Sequence, residues 1–384
     1  MKPEQQFMRH QPFARALSIL TAILASQVAE AAFVSGSTGV YGPLNVTSNT
    51  VLDLPPDGVF HCTTITINQG ITLSFNRNPL NTPVQLLATG DVTISGAIDV
   101  SGTQANGGAP GLGGPGGFDG GFGGYGIGAF NQGGDGNGPG AGRSANAFYG
   151  AAYAAAALSN TNIYGNALCY PLIGGSGGAG SGGNPGLGGG GGGGAILIAS
   201  SSKITLNGVV RARGAYGAGG GSGGTIRLVS PVVTGGGSCD TSGGSSVFGS
   251  GSFGRTRIDC EDRFAFRSLS FPSFSSRGSQ MFVTQPSAPR LDIVQAAGSA
   301  IPEATGNAVQ VQLPANAPTN QTVTIQARDF SGPVPIRLVV TPENGPATRI
   351  DTTISMASNP SQTNVNIVVP VGQFSRIHVW TRPN

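Results

Sequence analysis

DVTISGAIDVSG at residues 91–102 and KITLNGVVRARG at residues 203–214 align without a gap. Each copy follows an apolar run, Leu86-Leu87-Ala88 or Leu197-Ile198-Ala199, and each leads into glycine at every third position. A third strand, Thr225-Ile226-Arg227-Leu228-Val229-Ser230, precedes Val232-Val233. Apolar and polar residues alternate within these units, as they do at Ile65, Ile67, Ile71, Leu73 and Phe75, the period of half-buried strands. A repeated strand–turn–strand unit predicts a β-solenoid, because each coil leaves an apolar face bare until the next stacks on it. That region spans residues 32–286, with Arg255 to Cys260 as its last strand and the Ser/Phe-rich stretch to Pro286 as edge cover and linker.

A glycine-rich insertion interrupts it at about 103–194. One run places glycine at Gly108, Gly111, Gly114, Gly117, Gly120, Gly123 and Gly126, and a second at Gly174, Gly177, Gly180, Gly183, Gly186, Gly189 and Gly192. A shorter third run follows at Gly214, Gly217, Gly220 and Gly223. Three residues per turn is the period of polyproline-II geometry, so each run presents one edge free of side chains along which backbones can approach and bond. The expectation is a packed polyglycine-II-type element with each long run a continuous helix; irregular solenoid loops and a disordered linker are the competing readings. Alanine-rich Ala145–Leu158, carrying Phe148, Tyr149 and Tyr153, reads as a short helix or capping hairpin between the runs.

From residue 287 the glycine runs stop. Alternating segments at Leu291–Val294, Val309–Leu313, Val323–Ala327, Ile336–Thr341, Arg349–Ile354, Val365–Val369 and Ile377–Trp380 are separated by Pro, Gly and Asn turns. They predict an immunoglobulin-like β-sandwich over 287–384 with Trp380 in its core. The whole chain is thus expected to be all-β.

Basic residues Lys2, Arg9 and Arg15, apolar Ala16–Val28 and the small-x-small site Ala29-Glu30-Ala31 read as a signal peptide over 1–31. The apolar stretch is shorter than the roughly 20 residues of a membrane helix. The mature chain is therefore expected to be exported, to the periplasm, cell surface or medium, with no membrane span. Charged residues make up 10% of the chain and the formal net charge is +3. So few and so scattered cations exclude the dense Lys/Arg surface that nucleic-acid binding requires. Arg211/Arg213 and Arg255/Arg257 read as outward strand positions. Four cysteines, Cys62, Cys169, Cys239 and Cys260, suggest disulfides in an exported protein, with Cys239–Cys260 and Cys62–Cys169 favoured by proximity in sequence among three pairings.

No motif supplies a reaction, a metal or a cofactor. His61 and His378 are isolated in sequence and read as structural. The paired carboxylates that glycoside hydrolysis needs could come only from Asp91 with Asp99, read as turn and surface residues, or from Asp259, Glu261 and Asp262, read as a surface charge network with the neighbouring arginines. Gly133–Gly138 and Gly113–Asp119 approach a calcium-binding nonapeptide but place Gly138 and Phe118 where it needs aspartate. Ice binding would call for threonine ladders, and Thr-x-Thr occurs in the solenoid region at Thr64-Ile65-Thr66.

The segments LLATGDVTISGAIDVSG (86–102), AILIASSSKITLNGVVRARGA (195–215) and GGSGGTIRLVS (220–230) resemble the glycine-rich β-solenoid regions of bacterial secreted and surface proteins. The triplet runs are similar to the polyglycine-II bundles of some phage tail adhesins and glycine-rich antifreeze proteins. VTIQARDFSGPVPIRLVVTPENG (323–345) with IHVWTR (377–382) is similar to domains appended to exported proteins of that kind. The resemblance implies a fold and an extracellular setting and carries over no catalytic residue. The function expected is non-enzymatic, structural or adhesive, a surface or matrix component whose partners are itself, cell surfaces or polysaccharide. A carbohydrate-active β-helix enzyme and a self-assembling filament or surface-layer subunit are the alternatives.

Overall fold

Short strands whose apolar residues alternate inward set the architecture. The computed structural model describes residues 33–125, 132–144, 149–157, 160–267, 274–283, 289–303, 309–330 and 332–382, so the signal-peptide reading of 1–31 lies outside them. The chain makes successive rounds, each adding one strand to each of three parallel sheets. The first round is β1 (Leu44–Val46), β2 (Thr50–Asp53) and β3 (Val59–Cys62); the second is β4 (Ile65–Ile67), β5 (Thr72–Asn76) and β6 (Val84–Ala88). The third is β7 (Val92–Ile94), β8 (Ala97–Asp99) and, beyond the glycine region, β9 (Ala195–Ser200). The fourth is β10 (Lys203–Leu206), β11 (Val209–Arg211), the short β12 (Gly217–Gly219) and β13 (Thr225–Val229). The fifth is β14 (Val232–Thr234), β15 (Ser238–Asp240), β16 (Ser246–Gly249) and β17 (Arg255–Asp259), after which β18 (Ser275–Gly278) extends one sheet.

Three sheets result, β1-β4-β7-β10-β14, β2-β5-β8-β11-β15 and β3-β6-β9-β13-β17-β18, and β12 pairs with β16 beside them. Register stacks like on like: Ile65, Val92, Ile204 and Val233 form one inward file, Leu73, Ile98, Val210 and Cys239 a second, and Leu86, Ile198, Leu228 and Ile258 a third. The three files meet in one apolar core. Strands β9 and β13 are buried at every position, so the third sheet is covered on its outer face as well. That cover is chain 164–173 and 278–282: Thr225 Oγ1 donates to Ile173 O at 2.5 Å and Arg227 Nη2 to Gln280 O at 3.1 Å.

The expected disulfides are not formed; all four cysteines are buried free thiols. Cys62 faces the interior at the end of edge strand β3, whereas Cys169 lies among Arg255, Arg227 and Arg257 on the outer side of the same sheet, several strands away. Cys239 fills a rung of the second file and Cys260 directly follows β17 of the third sheet, each occupying an apolar site in place of an aliphatic side chain.

Among its described residues the glycine region contains no strand between Gly102 and Gly194, and it is held by backbone hydrogen bonds repeating every three residues. Its centre is 186–194. Amides of Gly186, Gly189 and Gly192 donate to Gly124, Gly121 and Phe118; those of Gly190 and Gly193 to Gly219 and Ser222; those of Gly188, Gly191 and Gly194 to Gly107, Thr103 and Val100. Its carbonyls accept from three further segments, through Gly111 and Gly114, Gly175 and Gly178, and Ala215 and Ala218. One segment thus has six backbone neighbours. The long runs, expected to be continuous, instead fold back on themselves. The first turns where Gly117 N bonds Gly114 O at 2.7 Å, the second where Ser181 N bonds Leu187 O at 2.8 Å. The described part of the alanine-rich stretch, 149–157, is not helical; it packs into the bundle through Ala151 N to Gly220 O and Ala152 N to Gly140 O.

Two antiparallel sheets follow. β19 (Arg290–Ala296), β20 (Ser299–Ala300), β21 (Asn320–Arg328) and β24 (Ser361–Val368) form one; β22 (Val334–Pro342), β23 (Thr348–Ile354) and β25 (Ser375–Thr381) form the other. Their inner residues, among them Val323, Ile325, Ile336, Leu338 and Ile367, share a second apolar core. Val309–Leu313, expected as a strand, joins no sheet; Pro314 follows it and Val309 is exposed. Residues Val34–Asn384 form one compact unit, because the antiparallel sheets dock on the glycine region. Asp119 receives Arg376 Nη1 at 2.7 Å, Asp135 receives the Ala347 amide at 3.0 Å, and Phe118 stands edge-on to Trp380 with ring centroids 6.1 Å apart. Trp380, expected in the sandwich core, is a half-buried contact at this interface.

Candidate functional site

The outward positions of the first two sheets are partly exposed, unlike those of β9 and β13 in the third. On the first, Asn45, Thr66, Thr93, Thr205 and Thr234 lie in register on successive strands, a file of hydroxyls and methyls about 4.8 Å apart. Thr205 Oγ1 and Thr234 Oγ1 are 3.2 Å apart. Beside this file, Lys203 Nζ meets Asp91 Oδ2 at 3.3 Å. A threonine ladder therefore exists, though Thr-x-Thr is rare in the sequence: its repeat runs across rounds of the chain, one threonine per strand.

The outward file of the second sheet is charged. Val51, Ser74, Asp99, Arg211 and Asp240 follow one another in register. Arg211 Nη1 lies 3.9 Å from Asp99 Oδ2. Arg213 pairs with Asp240, whose carboxyl, although partly desolvated, is held below the usual range by Arg213 and by the Ser242 amide. Arg211 is the outward strand position expected of it, whereas Arg213 lies two residues beyond the end of β11. Where this sheet meets the glycine region, Asp99, Ser101, Gln104, Arg213, Tyr216 and Ser242 line an open groove of about 360 Å³.

The candidate carboxylates do not assemble. Asp91, just before β7 of the first sheet, and Asp99, in β8 of the second, are each engaged by a cation of their own sheet, Lys203 and Arg211. Asp259 is not at the surface: it is fully buried, with Arg227 Nη2 at 3.1 Å and Arg257 Nη2 at 2.6 Å, while Glu261 and Asp262 are exposed. Arg257 points outward from its strand as expected, but under the cover of the third sheet. Among the described residues no three of His, Cys, Asp and Glu gather as metal ligands. Asp135, in the near-nonapeptide stretch, is buried and accepts from the Ser144 and Ala347 amides.

No family model, curated protein or solved structure matches the chain.

His61 Nδ1 accepts the Thr38 amide at 3.2 Å, a structural role. His378 is less bland: its Nδ1 is buried without a partner, its ring stands edge-on to Phe118 at 6.2 Å, and loss of solvent together with Arg376 pulls its pKa down to about 4. Burial pushes the thiols of Cys169 and Cys239 up to about 12 and those of Cys62 and Cys260 upward too, so none is an activated nucleophile. Of the glycines in the two long runs, eleven would place an added Cβ closer than 3.0 Å to neighbouring backbone: Gly111, Gly114, Gly117, Gly120, Gly123, Gly174, Gly177, Gly180, Gly186, Gly189 and Gly192. Gly108 and Gly183 have room, and Gly126 lies outside the described residues. No helix among the described residues is long and apolar enough to cross a membrane.

Proposed function

We propose that this chain is a non-enzymatic, exported structural or adhesive protein. Its three parallel sheets serve as a β-solenoid shaft, its glycine region as a polyglycine-II bundle grafted on that shaft, and its antiparallel sheets as an immunoglobulin-like sandwich fixed to the bundle. The observation that carries this reading is the six-neighbour packing around 186–194. Glycines there are committed on every side to backbone contact, an arrangement suited to rigidity and leaving no side chain for chemistry. The low charge, with the outward files as the presented surface, supports attachment to a neutral partner or to further copies. The alternative of a carbohydrate-active enzyme loses its densest carboxylate group, because Asp259 is sealed between two arginines.

The test is to locate the protein by immunogold labelling in cells that make it, and to measure binding of the purified protein to those cells, to insoluble polysaccharide and to itself. Surface or matrix labelling with retention on one of these partners is expected. A cytoplasmic protein, or a monomer retained on none of them, overturns the reading.

A further inference from the structure

We propose that the groove between the charged outer file and the glycine region is a binding site for a neutral, hydroxyl-rich glycan chain. The proposal rests on the adhesive reading and names its ligand and site.

The floor of the groove is a continuation of the strand ladder. Beyond β8, β11 and β15 the backbone pairing persists: Gly102 N donates to Arg213 O at 2.9 Å, Gly214 N to Ser242 O at 2.9 Å, and Arg213 N to Ser101 Oγ at 3.0 Å. Ser101, Arg213 and Ser242 are thus consecutive rungs about 4.8 Å apart, a repeating polar floor of the kind a repeating polymer can lie across. The volume, about 360 Å³, is near the lower end for ligand sites, and the groove is open, so it suits a short internal stretch of a longer chain.

Charge selects the class of ligand. Arg213 is engaged by Asp240, and Asp99 accepts the Ser101 amide at 2.9 Å with Arg211 beyond it. The cations are already matched by carboxylates, so an anionic ligand would have to displace Asp240 from Arg213. What remains on offer is a mixture of donors and acceptors: guanidinium, carboxylate, the Gln104 amide and serine hydroxyls. A sugar hydroxyl both donates and accepts and can use either. Tyr216, 37% exposed, supplies an aromatic surface with a polar tip at the same groove, against which the C–H face of a sugar ring can pack. The ion pairs hold Arg213 and Asp99 in place before any ligand arrives, which lowers the ordering cost of binding.

The experiment is affinity electrophoresis of the full chain through gels carrying soluble glucan, mannan, galactan or the anionic polymer alginate. Tyr216→Ala and Gln104→Ala are compared with Tyr41→Ala, a change at an exposed tyrosine of the first round, and melting curves establish that all are folded. At least one neutral polymer should retard the wild type, with binding about tenfold weaker in Tyr216→Ala and unchanged in Tyr41→Ala. Retardation by alginate alone, equal retardation of Tyr216→Ala and wild type, or no retardation by any polymer overturns the groove. If it falls while Tyr216→Ala still binds whole cells, the adhesive reading stands without it; if neither cells nor polymers bind, both fall.

Discussion

Asp259 shows how one buried charge fixes a piece of surface chain. It is fully buried between Arg227 and Arg257, it accepts the Gln280 amide at 3.2 Å, and Arg227 lies over the Phe282 ring at 4.2 Å. The cluster therefore pins 280–282 onto the third sheet. Removing the carboxylate leaves guanidinium groups buried without a counter-charge, which costs about 3–5 kcal/mol. Asp259→Asn should lower the thermal midpoint by several degrees, whereas exposed Glu261→Gln should stay within about 0.5 kcal/mol of the wild type in urea unfolding. Equal stability of the two variants would contradict the pinning. The sequence does place Arg257 and Asp259 on the outward side of a strand, since alternation assigns a face. It cannot say whether that face is covered, because the cover comes from chain remote in sequence.

At the scale of the element, the glycine bundle tolerates a methyl group only where backbone does not already occupy the space. At Gly192 a Cβ would meet the Gly175 carbonyl, and backbone cannot swing aside as a long side chain can. At Gly108 the nearest atom, Gly186 O, is 3.4 Å away, an ordinary contact. Gly192→Ala should therefore cost about 1–3 kcal/mol or more by overpacking. Gly108→Ala should be neutral, or stabilising by up to about 1 kcal/mol through a less flexible unfolded chain. Calorimetric melting of the two variants decides it, and matching midpoints would refute the packed bundle. The three-residue period was legible in the sequence because it is local. The six neighbours of 186–194 were not: they bring together segments from Val100 to Ser222, and the glycine pattern is the same for every pairing. The turns after Gly114 and after Ser181 hid for a related reason, since glycine continues through them. The strand units were easier, because an apolar file must face inward in every round.

For the whole molecule the informative joint is that between the bundle and the antiparallel sheets. Asp119 takes Arg77 at 2.6 Å from the second round and Arg376 at 2.7 Å from β25, while Arg349 lies 3.7 Å from Asp135. His378 sits among these groups with Arg376 and Asp119 as its charged neighbours, and its pKa is about 4 against an ordinary 6.5. A lowered histidine pKa means that the docked state binds fewer protons than the undocked one across the interval between those values. Docking is therefore at full strength above about pH 6.5 and weakens as the pH falls toward 4, by about 2–3 kcal/mol once partial exposure is allowed for. The acids do not take over in that window. Asp119, although desolvated, is held below the usual range by Arg77 and stays ionised throughout. Burial raises Asp135, so its carboxyl gains a proton more readily when docked and offsets part of the loss on acidification. The chain contains a single tryptophan, Trp380, placed against Phe118 at this joint, which makes its fluorescence a direct reporter. Emission should shift to longer wavelength between pH 6.5 and 4 in the wild type. His378→Gln, which removes the titrating ring, should abolish most of that shift. Constant emission across the interval, or an unaltered shift in the variant, would show that the imidazole does not govern the joint. Neither half of the chain announces this contact in sequence: Phe118 and Asp119 lie amid glycine, His378 and Trp380 on the last strand, and only the fold makes them neighbours.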